Sequence, residues 1–287
     1  MDSVSLQVCN TFLSPFPQQV KQSLLLLLPQ KAQETLQQLP HPGRFQKEVL
    51  STDFLDKVHF SWLAPYLRTL SKKDLPLFLA ALSPWQKEGL QPILGYSNGL
   101  PSLEPITRNY LRANLRKTLS QNQTFLPLSC LPNSPLNRLL CIEKQTLPKF
   151  LSFLGLHDLS LEMRQIISTK TRKQIYQTLT KDEGDYLNRL TLYQEPLVFK
   201  RLFLKNWDGS NEEMRKLLIE RGIHRLSHAL YFACESLAWY VCRRLDMYLG
   251  ALILKHKEKP THAKAEELLH RQIDQILSLL TPSQESP

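Results

Sequence analysis

Two histidines that could bind a metal ion lie four residues apart in the segment GIHRLSHALYFACESLAWYVCRRL, which runs from Gly222 to Leu245. On a helix His224 and His228 share a face, a geometry that can bind zinc, but a zinc site needs at least three protein ligands. Cys242 cannot be the third, because it lies roughly 21 Å along the helix axis from His228. There is also no H-E-x-x-H motif. We therefore expect no metal and no cofactor, and we place both histidines on a polar or interfacial helix face.

Other catalytic motifs are missing from the sequence. It contains no G-x-x-x-x-G-K-[ST], no G-x-G-x-x-G and no G-x-S-x-G motif. The loops typical of nucleotide hydrolysis and of dinucleotide redox enzymes are therefore missing. The carboxylate pairs Asp182/Glu183 and Glu266/Glu267 fit capping or solvated positions better than general acid–base catalysis. We expect a protein that is not an enzyme and has no small-molecule substrate.

The elements that hold these residues are predicted to be helices. Nine glycines, nineteen prolines and leucine-rich stretches between the prolines are typical of short helices separated by proline-marked corners. Helix starts are predicted at Ser83-Pro84, at Thr180 with Glu183 and at Ser210 with Glu213. The sequence predicts an all-α, multi-helical fold of stacked helical hairpins that allows two subdomains.

One long helix is predicted for the segment with the two histidines. Gly222 is interpreted as the glycine that ends the helix from Ser210, and a new helix is expected from about Ile223. Its core stripe repeats at steps of three and four residues: Ile223, Leu226, Leu230, Ala233, Leu237, Val241, Leu245 and Tyr248.

The predicted organisation begins with a weak internal repeat. Laying residues 13–39 on residues 67–93 aligns seven apolar positions, and each copy reads as a pair of short helices with a proline at the second corner. The predicted parts are a helical-hairpin subdomain at 1–94, an irregular Pro/Ser/Asn-rich connection with one helix at 95–148, a helical subdomain at 149–280 and a disordered tail at 281–287.

Charge and cellular location narrow the choice of partner. The longest apolar run, Leu24–Leu28, is too short to cross a bilayer, and the first ten residues lack the pattern of a cleaved signal, so we expect a cytoplasmic protein. A net charge of +10 implies an acidic partner, although the basic residues are spread over several helices. Five scattered cysteines without a C-x-x-C motif are interpreted as reduced thiols.

Two stretches resemble the SctK-type proteins of bacterial type III secretion systems. KVHFSWLAPYL, residues 57–67, resembles the family's HPSWL block, with Phe60 where the family has proline and matches at His59, Ser61, Trp62 and Leu63. LPKFLSFLGLHDLSLEMRQIISTKTRKQIYQTLTKDEGDYL resembles the family's leucine-glycine-leucine segment, which matches at Leu154, Gly155 and Leu156. The segment IERGIHRLSHALYFACESLAWYVCRRL resembles the helical ending of these proteins. The N-terminal hairpins are similar to those of the flagellar switch protein FliG.

The resemblance implies a small helical adaptor of the cytoplasmic sorting platform. Such an adaptor links the cytoplasmic domain of the inner-membrane ring protein SctD to the pod protein SctQ, and indirectly to the stator SctL and the ATPase SctN. It lies at the cytoplasmic face of the inner membrane through its protein partners. No nucleic acid is expected as a partner.

Docking of this kind needs apolar anchors and steering charges. The candidate anchors are Trp62 and Tyr66, and the candidate steering charges are Arg243, Arg244, Lys255 and Lys257. A structural role stays open for each, since a tryptophan is usually part of a core and basic clusters are usually solvated. Two alternatives also stay open: a basic helical nucleic-acid-binding protein, and a metal-dependent hydrolase built on His224 and His228.

Overall fold

The computed structural model of the chain describes residues 3–39, 53–121, 123–192, 197–199, 204, 207–262 and 264–281. Within these ranges the regular elements are helices and no β-strand occurs, which confirms the predicted all-α fold. In chain order the described α-helices are α1 (Ser3–Leu13), α2 (Gln18–Leu25), α3 (Gln30–Gln38), α4 (Ala64–Leu67), α5 (Leu75–Ala80), α6 (Pro84–Leu94), α7 (Pro105–Ser120), α8 (Thr146–Gln165), α9 (Thr169–Thr178), α10 (Lys181–Leu192), α11 (Asn211–Tyr231), α12 (Glu235–Arg244), α13 (Met247–Lys255) and α14 (Ala265–Leu280). Short 3₁₀ turns lie at Phe54–Lys57, Phe60–Trp62, Leu128–Cys130 and Pro135–Leu140.

The chain forms two compact units. Unit 1 comprises residues 1–140 and 234–250, and unit 2 comprises residues 141–233 and 251–287. Unit 1 therefore contains α1 to α7 and α12, unit 2 contains α8 to α11 and α14, and α13 begins in unit 1 and ends in unit 2. The subdomain boundaries predicted at residues 94 and 148 stay a prediction, and nearly all of the predicted tail lies outside the described residues.

The main core of unit 1 is built from apolar residues of the first 3₁₀ turn, of α4 to α7 and of the segments between them. Leu55, Leu67, Leu90 and Leu115 are fully buried there. The side chain of Gln86 is also fully buried, and its Nε2 donates to the carbonyl oxygens of residues 55 and 58 at 2.8 and 2.9 Å. The carbonyl oxygen of Leu55 also accepts the N–H of Val58 at 3.2 Å, so the amide of Gln86 uses its second lone pair and joins α6 to the turn.

An ion pair attaches α7 to the same core. Arg112 places both terminal nitrogens on Asp56, at 3.0 and 2.8 Å, and its Nε donates to Asp53 at 3.0 Å. Its Nη1 also donates to the carbonyl oxygen of Ala81 at 3.2 Å. This half-buried guanidinium has an acceptor on each side, the arrangement that a charge removed from water needs.

A helix pair lies in each copy of the predicted repeat. The pairs are α2 with α3 and α5 with α6, and the second helices begin at the aligned positions Gln30 and Pro84. The aligned leucines Leu36 and Leu90 are both buried. Leu36 belongs to a separate small cluster with residues of α1 and α3, so the two copies bury their apolar faces in different places.

The predicted helix starts at Ser83, Thr180 and Ser210 are confirmed by their hydrogen bonds. Ser83 and Gln86 form a reciprocal capping box, and the backbone N–H of Thr180 donates to Glu183 Oε2 at 2.9 Å. The N–H of Glu213 donates to Ser210 Oγ at 3.2 Å. Each cap satisfies backbone groups that have no partner within their helix.

Unit 2 is organised around the close contact of α8 and α11. A Cβ atom on Gly155 of α8 would overlap the carbonyl oxygen of Leu218, and one on Gly222 of α11 would overlap the carbonyl oxygen of Leu151. The prediction that Gly222 ends the helix from Ser210 is wrong, because α11 continues through it to Tyr231. The glycine permits a backbone contact between helices instead of a left-handed cap.

The single helix predicted from Ile223 to Tyr248 is also wrong, because the chain leaves the helix twice. Cys234 and Leu245 have extended backbones, which separate α11, α12 and α13. Asp246 starts the last of these helices by accepting the N–H of Leu249 at 3.0 Å. A capping aspartate competes with continued helix, and Tyr248, predicted as core, is 62% exposed.

A buried ion pair connects three helices of unit 2. Arg225 of α11 has no exposed surface, and its Nη2 lies 2.6 Å from Asp158 Oδ1 of α8. Its Nη1 donates to Gln272 of α14 at 2.9 Å, and Nη2 also donates to the carbonyl oxygen of Leu197 at 3.0 Å. The guanidinium is therefore satisfied by a carboxylate, an amide and a backbone carbonyl.

A second buried carboxylate caps α10. Glu183 is 1% exposed and accepts hydrogen bonds from Arg215, from the hydroxyl of Ser152 at 2.7 Å and from Thr180. Burial acts to raise the pKa of Glu183, but the hydrogen bonds from Arg215, Thr180 and Ser152 outweigh it and hold the pKa below its ordinary value of 4.5.

Adding one methyl group at the helix contact is expected to destabilise unit 2. Gly155→Ala or Gly222→Ala should each lower the free energy of unfolding by about 2 kcal/mol, because overpacking outweighs the gain in helix propensity. Urea unfolding followed by circular dichroism measures this. Gly184→Ala in α10 is the matched control, since the nearest atom to its added Cβ is a side-chain carbon of Tyr176 at 3.8 Å. An equal loss in the control would contradict the explanation.

The carboxylate of Glu183 is expected to make stability depend on pH. Its folded pKa is lowered, so its contribution is fully present above the unfolded pKa and is lost as pH falls from about 5 towards 3. Glu183→Gln should lower the free energy of unfolding at neutral pH by about 2 kcal/mol and flatten this acid dependence. Asp182→Asn, which removes an exposed ion pair with Lys149, should change stability by less than about 1 kcal/mol.

Candidate functional site

Hydrogen bonds attach the HFSWL block, residues 59–63, to the end of α12 and the start of α13. The backbone N–H of His59 donates to the carbonyl oxygen of Arg243 at 2.8 Å, and Trp62 Nε1 donates to the carbonyl oxygen of Leu245 at 2.9 Å. The N–H of Met247 donates to Ser61 Oγ at 2.8 Å. These bonds use carbonyl and N–H groups that the break between α12 and α13 leaves free of intrahelical partners. Two segments far apart in sequence thus form one site within unit 1.

A glycine makes room for the indole ring. A Cβ atom on Gly250 would lie 2.6 Å from Trp62 Cζ2 and 2.7 Å from the carbonyl oxygen of Cys242. Any larger residue at this position of α13 would push the ring away from α12. The position of Trp62 is therefore set both by its hydrogen bond and by the missing side chain at residue 250.

The guanidinium of Arg243 stacks on aromatic rings. Its central carbon lies 3.9 Å from the ring centre of Trp62 and 5.1 Å from that of Trp239. Trp239 in turn stacks on Phe125, with ring centres 4.5 Å apart and an angle of 23° between planes. Cation–π contacts of this kind favour a guanidinium over an ammonium, because the planar group can lie flat on the indole.

A cavity of about 230 Å³ opens beside this stack. Its inner wall is formed by buried or half-buried side chains, namely Trp62, Leu63, Tyr66, Leu115, Leu119 and Arg243. Its rim is formed by the exposed residues Pro65, Thr118, Gln121 and Met247. All of these residues belong to unit 1. The cavity is thus an apolar pocket with one cationic group in its wall.

The charge of Arg243 is poorly compensated. The residue is 8% exposed, and its Nε and Nη1 are buried without a hydrogen-bond partner among the described residues. Burial lowers the pKa of Arg243 below its ordinary range, and the neighbouring Cys242 opposes that shift. This differs from Arg112, which has two carboxylates in the same unit. A buried guanidinium without an anion carries an energetic cost, which an ion pair with an anion in the cavity would offset.

Three of the six predicted interaction residues meet in this cavity: Trp62, Tyr66 and Arg243. Tyr66 is half-buried and meets Phe78 edge-to-face at 5.8 Å. Arg244 is 5% exposed and donates to the carbonyl oxygen of Leu139, so it lies inside unit 1 and not at the surface. Both arginines are thus buried, which differs from the exposed position that long-range steering requires and also from the solvated helix face given as the alternative.

The remaining two predicted residues lie in unit 2. Lys255, the last residue of α13, is exposed and Lys257 is half-buried. They are not part of the cavity in unit 1, and their steering role stays a prediction.

The histidine pair lies elsewhere in unit 2. The His224 and His228 rings are 4.9 Å apart, and His228 stacks on Phe199 and contacts the carbonyl oxygen of Glu258 through Nδ1 at 3.0 Å. Sequence reasoning missed His256, whose ring lies 5.0 Å from that of His224. Within the described ranges no group of three or more His, Cys, Asp or Glu side chains is placed to hold a metal ion.

Sequence reasoning also missed that Leu115 and Leu119 would face Trp62. The four-residue spacing on α7 was visible, but it marks only a buried face and does not say which segment covers that face.

None of the described helices combines the length and apolar character needed to cross a bilayer. Comparison with protein-family models, with curated proteins and with solved structures found no match to this chain.

Replacing Arg243 or Arg225 by methionine is expected to have different effects on the free energy of unfolding, because only Arg225 is paired with a buried carboxylate. Arg243→Met should leave the free energy of unfolding within about 1 kcal/mol of the parent or raise it, because an unpaired charge is removed and a thioether can also pack on indole. Arg225→Met should lower it by about 3 kcal/mol or more, since Asp158 would remain buried without its cation. Urea unfolding measures both. An equally large loss for Arg243→Met would mean that its charge is needed for folding.

Proposed function

We propose that this chain is a non-enzymatic adaptor of the type III secretion sorting platform. In this role it links the cytoplasmic domain of the inner-membrane ring protein SctD to the pod protein SctQ, and through the pod protein to the stator SctL and the ATPase SctN. It works at the cytoplasmic face of the inner membrane through these partners. Its mechanism is docking without covalent chemistry.

The observation that carries the proposal is the position of the HFSWL block. The residues that carry the resemblance to SctK-type proteins, among them Trp62 and Leu63, form a wall of the cavity that also contains Arg243. The resemblance rests on sequence and the cavity rests on geometry, so the two observations are independent. Both point to the same surface of unit 1.

The composition of the cavity supports binding to a protein. Tryptophan, tyrosine and arginine are the residues most enriched at the points that dominate protein–protein binding energy. Trp62, Tyr66 and Arg243 meet here around a concave apolar centre with an exposed rim. Residues of this kind contribute most when a partner side chain fills the pocket and excludes water.

The charge of the chain supports an acidic partner surface. A net charge of +10 accelerates the encounter with an acidic protein face, and exposed lysines such as Lys255 are suited to that long-range role. A nucleic-acid-binding protein would use arginines on the surface against phosphate groups. Arg243 and Arg244 are buried, so these two arginines are not surface groups of that kind.

Direct binding with purified components tests the proposal. The full chain is expected to bind the cytoplasmic domain of SctD or the pod protein SctQ from the same organism, with a Kd on the order of micromolar or tighter. Tyr66→Ala should weaken that binding at least about tenfold, because it removes an anchor. Tyr110→Ala is the matched control, since Tyr110 is 65% exposed on α7 and does not line the cavity. Isothermal titration calorimetry at two salt concentrations measures all three proteins.

Two results would count against the adaptor. One is the absence of binding to both secretion proteins under conditions where the chain is folded. The other is binding to DNA or RNA whose affinity falls steeply with salt, since only phosphate contacts release many counterions. Binding to a secretion protein that persists at moderate salt supports the adaptor, because apolar anchors are not screened.

A further inference from the structure

Arg243 is a buried cation in the wall of a cavity that offers it no anion. No described carboxylate forms an ion pair with it, and its Nε and Nη1 are buried without an acceptor among the described residues. The described residues that line the cavity include no aspartate or glutamate. Buried arginines are normally paired, as Arg112 and Arg225 are in this chain.

We propose that the cavity binds the carboxylate of an aspartate or glutamate side chain on a partner protein. Arg243 forms the ion pair with this carboxylate, and the rings of Trp62 and Tyr66 contact the apolar stem of the incoming side chain. The inference rests on the proposed function only for the identity of the partner, because the cavity and its arginine are features of unit 1 alone.

The size of the cavity selects the occupant. A volume of about 230 Å³ is below the roughly 300–1,000 Å³ of typical small-molecule and cofactor sites. The cavity therefore matches a single inserted side chain better than it matches a nucleotide or an extended cofactor.

The polarity of the cavity favours a carboxylate over a phosphate group. Its inner wall is apolar apart from Arg243, and the described lining residues include no lysine and no second arginine. A phosphate group carries up to two charges and three strong acceptor oxygens, which one guanidinium cannot satisfy in an apolar wall. A carboxylate carries one charge, which matches the single charge of the guanidinium.

The guanidinium is held ready for such a contact. It stacks 3.9 Å from the centre of Trp62, and the backbone carbonyl of Arg243 is fixed by the N–H of His59. Little side-chain entropy remains to be lost on binding, which favours affinity and specificity.

A small blocked amino acid tests the site without any secretion protein. The probe is N-acetyl-glutamate amide, with N-acetyl-glutamine amide at matched ionic strength as the neutral comparison. The readout is the indole N–H signal of Trp62 in NMR spectra of the full chain, identified among the four tryptophans by its loss in Trp62→Phe. We expect a saturable shift with glutamate at a Kd on the order of millimolar, and none with glutamine.

Three arginine variants give the controls. Arg243→Met should weaken glutamate binding at least about tenfold, and Arg243→Lys should weaken it less, because lysine keeps the charge but loses the planar pair of donors. Arg68→Met removes the same charge from an exposed position outside the cavity and should leave binding unchanged. Urea unfolding of each variant shows that the comparison is made between folded proteins.

Specific results would overturn the inference. An equal response to glutamine, full binding by Arg243→Met, or tighter binding of inorganic phosphate than of the blocked glutamate would each do so. The titration contains no SctD or SctQ protein. A negative result here therefore leaves the adaptor proposal standing, and failure of those proteins to bind leaves the carboxylate site standing.

Discussion

Removing a guanidinium from water has a large free-energy cost, and both units of this protein depend on how that cost is offset. In unit 2 the cost of burying Arg225 is offset by its contacts with a carboxylate, an amide and a backbone carbonyl from three other segments. In unit 1 the cost of burying Arg112 is offset by ion pairs with Asp53 and Asp56, which lie at the cap and within the first 3₁₀ turn. Arg243 is the exception, because it has aromatic rings but no anion among the described residues. Arg112 and Arg225 are thus paired with carboxylates of their own unit, whereas the anion for Arg243 is proposed to come from a partner protein.

Close backbone contact is the second constraint, and it acts differently in the two units. In unit 2 Gly155 and Gly222 let α8 and α11 meet at their carbonyl groups, which aligns Asp158 with Arg225 on the same pair of helices. In unit 1 Gly250 leaves the space that Trp62 occupies. A glycine in a helix costs about 1 kcal/mol relative to alanine, so the packing that it permits must contribute more than that. In unit 2 the packing that the glycines permit forms the contact between α8 and α11, and in unit 1 it fixes the position of the Trp62 ring in the cavity wall.

The cavity behind the proposed function is formed by three segments that lie far apart in the sequence. The HFSWL block contains the residues that resemble the secretion family. The break between α12 and α13 provides the backbone groups that bind this block, and α7 provides the leucines of the cavity wall. A concave apolar surface with one unpaired cation is suited to a single acidic side chain of a protein partner. Such a contact gives specificity, because a neutral side chain would leave the guanidinium unpaired and buried. The diffuse positive charge of the rest of the chain adds encounter rate and not selectivity.

The sequence by itself determined the helical class, the proline-marked corners and the caps at Ser83, Thr180 and Ser210, because these depend on local backbone chemistry. It failed at Gly222, where a local pattern predicts a helix end and a contact from another helix explains the residue instead. It named Trp62, Tyr66 and Arg243, but it predicted Arg243 as a surface steering charge, because helical periodicity does not show what covers a face. Only the tertiary structure decided that residues far apart in the chain meet in one cavity, since burial and unpaired charge depend on neighbours that sequence order does not specify.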